Sequence, residues 1–325
     1  MNAVTGFRGV ALALASLCAS SGATHAEEWP ARQAVKIIVP FTAGSATDIV
    51  ARTVFEQVGR QVGQTFVPEN RGGAGTTLGM AAVAKADPDG YTLLVHSTSH
   101  VVVASTYAKL PFDAVNDFAP ITALANIPYI ITTPVKYRSL ADLIAAGKAP
   151  GSALTYGSAG VGSSGQLFQE RFRTAAGFPA THVPFRGTPE GMVEIVAGRL
   201  DMYSAPAINA IELTRDNKIS SLAASSSKRV PLMPEVPTLA ELGLAAATYN
   251  FWVGAFAPAR TPSAVLDRLN GEIVTALKQN AIADKIVALG GDPNPMTRPE
   301  FEAFVRSELA VNAEILKASG FKPLQ

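Results

Sequence analysis

The sequence predicts an α/β protein of two lobes joined by two crossovers, and three observations carry that expectation. Short apolar, β-branched runs alternate with helical stripes in two separate blocks. Two longer extended stretches, residues 121–133 and 249–257, connect the blocks. The chain has 325 residues, more than the roughly 250–300 at which a single core stops growing.

The first block opens with Val35 to Val39 (VKIIV), a buried strand. The loop Pro40-Phe41-Thr42-Ala43-Gly44-Ser45 follows. From Ala46 to Arg60, Val50, Val54 and Val58 recur at helical spacing, Ser45 or Thr47 caps the start, and Gly63 lies past the end. The same order recurs: a strand at Thr65 to Pro68, a glycine-rich loop from Arg71 to Thr77, a helix from Leu78 to Ala86. Asp87-Pro88-Asp89-Gly90 is a turn into the strand Tyr91 to His96. Residues 121–133 read as one extended stretch interrupted by Pro128.

The second block restarts at Ser139, which caps Leu140 to Ala146. Ala153 to Tyr156 is a strand, residues 157–165 a nine-residue Gly/Ser loop, and Gln166 to Ala176 a helix. Thr181 to Pro184, Met202-Tyr203 and Ile219 to Ala223 are strands, with a helix from Thr188 to Ala197. Tyr249 to Ala257 (YNFWVGAFA) is extended. Two helices, Pro262 to Gln279 and Arg298 to Ala318, close the chain and return to the first lobe. The expected division is lobe 1 from 27–125 plus 252–325, and lobe 2 from 126–251.

Residues 1–26 carry a different signal. Arg8 supplies a positive charge, Val10 to Ala19 (VALALASLCA) is apolar, and Thr24-His25-Ala26 offers small residues at a cleavage site. This is the pattern of a cleaved secretory signal peptide, too short for a membrane span. The expected location is the periplasm, where neither ATP nor NADH is at hand. The only cysteine, Cys18, falls in this segment, so a disulfide framework and a thiolate metal site are excluded downstream. Past Arg8 the basic and acidic residues balance at 26 each. No like-charge block marks a nucleic-acid partner, and no later run reaches a membrane span.

The candidate site consists of loops rather than reactive side chains. A loop entering a helix offers unpaired N–H groups and the positive end of the helix dipole, a ready anion site without Arg or Lys. Residues 40–48 and 157–165 are such loops, one in each block. Asp48, in the first turn, either shapes its loop or bonds the ligand; dipole stabilisation and bonding back to the loop are favoured.

Other chemistries fit less well. Gly160-Val161-Gly162-Ser163-Ser164-Gly165 matches GxGxxG, but Phe185-Arg186-Gly187 stands where a ribose-binding acid is needed. No G-x-S-x-G occurs, which argues against a serine hydrolase. His96, His100 and His182 read chiefly as polar residues at the lobe surface, although His96 and His100 lie near a strand end where either would line a cleft. No metal or cofactor is expected: His96 and His100 lack the helix and the glutamate of a zinc motif. Asp87-Pro88-Asp89-Gly90 lacks the later ligands of a calcium loop.

The chain resembles the Bug-type extracytoplasmic substrate-binding proteins of tripartite tricarboxylate transporters, from about Trp29 onward. Residues Pro40 to Asp48 with Ala51-Arg52, Glu69-Asn70-Arg71 before Gly73-Ala74-Gly75, and Asp87 to Leu94 carry the resemblance. So do Leu110 to Asp113, Asp117 to Pro120, Tyr156 to Ser164, Val183-Pro184-Phe185-Arg186-Gly187, Gly198 with Asp201, Pro234 to Thr238, and Gly254 with Ala257 to Pro262.

This resemblance implies a periplasmic binding protein of Venus-flytrap, type II-like architecture, with no catalysis and no cofactor. It implies a small carboxylate ligand (a di- or tricarboxylate, an aromatic carboxylate or an amino acid) and a membrane permease as partner; a monomer is the expected state, although no residue pattern speaks to it. Ligand contacts implied in lobe 1 are Phe41, Thr42, Ala43, Gly44, Ser45 and Asp48. Those in lobe 2 are Ser158, Ala159, Gly160, Gly162, Ser163 and Ser164. His100 and Tyr203, with Ser97, Thr98, Ser99 and Ser204, are the expected far end of the cleft. Ser45, Gly72 and Gln166 stand where the family usually has Gly, Pro and His. The rival reading is a sensor subunit for a membrane receptor kinase, which the gene neighbourhood separates from transport.

Overall fold

A computed structural model describes residues 29–318 and Leu324. The expected signal peptide, 1–26, lies outside the described residues. The first lobe opens β1 (Val35–Val39), α1 (Ala46–Val62), β2 (Phe66–Asn70), α2 (Thr77–Ala84), β3 (Thr92–Ser97), α3 (Ser99–Thr106) and β4 (Phe118–Asn126). The chain then crosses into β5 (Tyr129–Thr133), α4 (Leu140–Lys148), β6 (Thr155–Ser158), α5 (Ser164–Ala176) and β7 (Thr181–Pro184). There follow α6 (Thr188–Val196), β8 (Met202–Pro206), α7 (Ala207–Arg215) and β9 (Ser220–Ala224). It returns through β10 (Trp252–Pro258), α8 (Ser263–Lys278), α9 (Asn280–Ala288), β11 (Asp292–Pro293) and α10 (Arg298–Ala318).

Two sheets result, one per lobe. The first has strand order β11-β4-β10-β3-β1-β2 and the second β7-β6-β8-β5-β9. β1 runs parallel to β2 and β3, and β6 parallel to β7 and β8. The C-terminal ends of these parallel strands point at the seam, the usual place for a ligand in open α/β sheets. The extended stretch 121–133 is two strands, broken at Ile127-Pro128, where β4 leaves one sheet and β5 joins the other. The two crossovers lie side by side: the Ile127 amide donates to Phe251 O at 2.9 Å, and Ser225 exchanges backbone bonds with Tyr129 and Tyr249.

Three helices go beyond the sequence expectation. In α3 the run Val101-Val102-Val103 has weak helix propensity and no polar face. All three valines are buried, so packing on every side makes the helix. In α7 only Ala207, Ala210 and Ile211 mark the buried face, too brief a stripe to read. α9 follows α8 after the single extended residue Gln279 (ψ 127°), so the two pass for one helix end.

α10 closes the first lobe. Phe301 is fully buried, edge-on to Trp252 at 5.8 Å and tilted against Phe256 at 5.4 Å. Phe301→Ala should destabilise the protein by about 3–4 kcal/mol in urea unfolding, since it deletes a ring from a closed cluster. A loss under about 1 kcal/mol would show that α10 does not close this core.

Candidate functional site

The two loops named from the sequence share one local grammar. In the first, Gly44 (φ 79°) precedes the N-cap Ser45, whose Oγ accepts the Asp48 amide. In the second, Gly162 (φ 78°) precedes the N-cap Ser163, whose Oγ accepts the Gln166 amide. The third helical residue then folds back onto the glycine. Asp48 Oδ2 accepts Gly44 N–H at 2.9 Å, and Gln166 Oε1 accepts Gly162 N–H at 2.7 Å. Each loop is therefore braced by its own capping side chain, and those two amides are not free for an anion.

Asp48 is the busier brace. Besides Gly44, its carboxylate accepts Asn70 Nδ2 at 2.9 Å and Arg52 Nε at 3.0 Å. Burial alone would raise its pKa; the bonds from Arg52, Gly44 and Asn70 outweigh burial and hold it below the usual aspartate value. Asn70 also donates to Phe41 O at 3.1 Å, tying the end of β2 to the loop after β1.

Several predicted site residues are spent on structure. Phe41 is buried, its ring edge-on to His96 at 5.5 Å. His100 lies in the core of the first lobe, stacked on Phe256 at 4.2 Å, not at the far end of the cleft. Burial pushes its pKa down to about 3, and burial also lowers that of His96. Neither histidine sits on the lobe surface: both are 2% exposed or less, because α3 folds back over them. Ser97 bonds Ser99, and Thr98 Oγ1 accepts the Trp252 amide at 2.9 Å, fixing β3 to the second crossover.

The lobes are closed on each other. Ser99 Oγ accepts the Ser164 amide at 3.0 Å and meets Ser164 Oγ at 3.1 Å, so α3 of one lobe caps α5 of the other. Ser164 Oγ continues to the Tyr129 hydroxyl at 2.8 Å. Tyr107 donates its hydroxyl toward Ala74 O in its own lobe and Val161 O across the seam. Asn209 Nδ2 donates to Gly44 O at 2.9 Å. The two named loops thus each face the opposite lobe. Loop 40–48 meets residues 187–189, and loop 157–165 meets Gly75, Ser99 and Tyr107.

One buried hydroxyl at this seam, Thr42 Oγ1, has no protein partner, and inside the second lobe the Tyr203 OH makes no hydrogen bond of good geometry, with only the Thr188 hydroxyl as its polar side-chain neighbour. They flank the turn into α6. A methyl at Gly187 would stand 1.9 Å from Thr42 Oγ1, and one at Gly191 would stand 2.2 Å from the Tyr203 ring. The amides of Ala46 and Thr47, in the first turn of α1, also meet no acceptor among the described residues. Buried polar groups are almost always satisfied in folded proteins, so the unpartnered Thr42 hydroxyl, in the loop that leads into these amides, marks a place for something polar. Beside it a cavity of about 720 Å³ opens between Gly72–Gly75 of one lobe and Ala159, Gly160 and residues 184–186 of the other. Gly44 faces a separate, more apolar groove of about 670 Å³ with Pro189 and Val193.

Residues 50–321 match the family described as the tripartite tricarboxylate transporter family receptor, TctC. The chain belongs to that family. BugT of Bordetella pertussis is 31% identical over 320 residues, covering 97% of this chain and 96% of its own. Rpa4515 of R. palustris, solved with adipate, aligns with a TM-score of 0.87 at 29% identity, over 91% of this chain and 100% of that one. MatC of Rhodopseudomonas palustris, solved with bound malate, aligns with a TM-score of 0.84 at 28% identity, over 88% of this chain and 99% of that one. The receptor is thus a two-lobed binding protein of Bug type, and its family and structural neighbours are substrate-binding proteins, not enzymes. Solved structures that it matches are of periplasmic binding proteins.

The receptor does hold one Ser–His pair, Ser158 Oγ to His182 Nε2 at 2.7 Å, which the sequence left unpaired. Ser158 also accepts Gly160 N–H and bonds Gly160 O, and it is fully buried. Burial pushes His182 down to about 4 against the upward pull of the nearby Glu170 carboxylate, and among the described residues no carboxylate hydrogen-bonds its ring. The pair braces the second loop.

What the sequence reading missed is residues 187–189, Gly72–Gly75 as a wall, and Tyr107. The Phe185-Arg186-Gly187 run was visible as a motif but had no reason to face loop 40–48 before the sheets were assembled.

Two outcomes follow for the receptor. Because the Asp48 pKa is lowered by folding, its contribution is fully present above the ordinary value near 3.8 and is lost as pH falls through the depressed one. Asp48→Asn should cost about 1.5–3 kcal/mol at pH 7 and flatten the acid limb of the stability–pH curve; an unchanged limb would remove Asp48 as the brace. Gly75→Val places its Cβ 2.0 Å from Val161 O and 2.3 Å from the Tyr107 OH. Small-angle scattering should show this variant held open with its fold retained, whereas a closed variant would contradict the seam contact.

Proposed function

We propose that the protein is a periplasmic receptor that closes its two lobes on a small carboxylate and presents it to the permease of a tripartite transporter. The single observation behind the reading is the buried, unpartnered Thr42 hydroxyl at the seam, in the loop that leads into two unpaired first-turn amides of α1. Hydroxyl and amide donors on one helix-entry loop suit an oxyanion, and each charge-assisted bond adds about 1.5–3 kcal/mol. The neighbours solved with adipate and malate support a carboxylate as the ligand.

In this reading the carboxylate head meets Thr42, Ala43 and the start of α1, with Ala159 and Gly160 across the seam. Asp48, Ser45, Ser158, Gly162 and Ser163 hold the loops in shape, and Ser164 belongs to the closure contact. The lobes divide as 27–125 with 252–325, and 126–251, in line with the membership of the two sheets. The mature chain begins near Glu27 and acts as a monomer. The family's association with transport favours a permease over a receptor kinase as partner.

Isothermal titration of the mature protein against mono-, di- and tricarboxylates and amino acids tests the reading. At least one carboxylate should bind with a 1:1 stoichiometry, and Thr42→Val should weaken it about tenfold, the loss of one bond to a charged acceptor. No heat and no shift in melting temperature across the panel would defeat the proposal.

A further inference from the structure

Most charged side chains at the seam are already occupied. Arg52 is paired with Asp48, Arg71 with Glu69, and the Glu190 carboxylate accepts the Arg186 amide at 3.1 Å. The Arg186 guanidinium is different. It lines the cavity of about 720 Å³ and has no protein partner among the described residues. The facing wall, Gly72–Gly75, offers backbone only, and the Tyr107 hydroxyl is committed to Ala74 O and Val161 O. Arg186 is therefore the one cationic side chain on the cavity wall, and Glu190 the one acid, already engaged.

The cavity adjoins the unpartnered Thr42 hydroxyl. Gly187, next in the chain to Arg186, packs against Thr42, and a methyl at Gly72 would stand 3.3 Å from Arg186 O and 3.5 Å from Phe41 Cα. A ligand whose carboxylate sits at Thr42 is thus one residue, Gly187, away from the cavity that Arg186 lines. The cavity volume falls within the range that holds whole small ligands. A planar guanidinium with five donors suits a second carboxylate in bidentate geometry.

We propose that Arg186 is a specificity-determining residue: it takes the far carboxylate of the ligand, so the receptor selects α,ω-dicarboxylates over monocarboxylates of the same length. This selection rests on the carboxylate-binding reading above and adds to it the second anchor. The side chain is exposed, so solvent screening keeps the preference moderate, on the order of five- to tenfold.

The test is isothermal titration of the mature protein with α,ω-dicarboxylates from succinate to pimelate and their monomethyl esters, which match each diacid in shape but lack one charge. The wild type should bind its preferred diacid about five- to tenfold more tightly than the monoester. Arg186→Gln should weaken the diacid to the level of the monoester while leaving the monoester unchanged, and Arg186→Lys should restore part of the difference. Raising salt should erode the diacid preference in the wild type only. Equal binding of diacid and monoester by the wild type, or equal loss of both in Arg186→Gln, would overturn the role of Arg186. Binding of monocarboxylates or amino acids with no diacid binding would overturn it too while leaving the carboxylate reading intact; silence toward every carboxylate would sink both.

Discussion

Backbone-to-backbone contact between the two lobes is the constraint on which the rest of the molecule depends. Gly75 approaches Val161 O so closely that any side chain there would collide, and Gly160 lies against Gly75. Only glycine tolerates such an approach. The consequence is chemical as well as steric. A seam this tight has no space for a lysine or arginine deep between the lobes, so an anion held there must be met by amides and hydroxyls. The groups left unpartnered are of that kind: Thr42 Oγ1 and the first-turn amides of α1. A cation enters only at the periphery, where Arg186 reaches the cavity.

Donors of this sort work only if they are held still, because a mobile loop would lose ordering entropy on every binding event. The loops are held by the same device twice. A serine N-cap and a folded-back Asp48 or Gln166 fix each glycine that precedes the cap. For Asp48 the balance is plain: burial opposes the charge, and the bonds from Arg52, Gly44 and Asn70 more than offset it. Gln166 does the equivalent work without a charge.

Much of this was legible in the chain. Val50, Val54 and Val58 gave α1, and Ser45 and Gly63 gave its ends. The alternation of strand and helix gave both sheets, and the short ordered motifs gave the family. What stayed hidden has physical causes. α3 is a run of valines that only complete burial makes helical, so His96 and His100 read as surface residues when they are core. The pairing of Ser158 with His182 is a contact between adjacent parallel strands, 24 residues apart, and no periodicity reports it. The opposition of loop 40–48 to Gly187 needs two sheets docked end to end. Local spacing says that a loop offers donors; only the docked lobes say which donors their neighbours have taken. Ser164 shows the difference, since its amide is claimed by Ser99 of the opposite lobe.

The measurement that tests the account most directly is a crystal structure of the mature protein grown with its tightest-binding carboxylate. The account predicts a closed form with one carboxylate oxygen within hydrogen-bond reach, about 2.7–3.1 Å, of both Thr42 Oγ1 and an amide of the first turn of α1. Density for the ligand elsewhere, with Thr42 still unpartnered between the closed lobes, would contradict it.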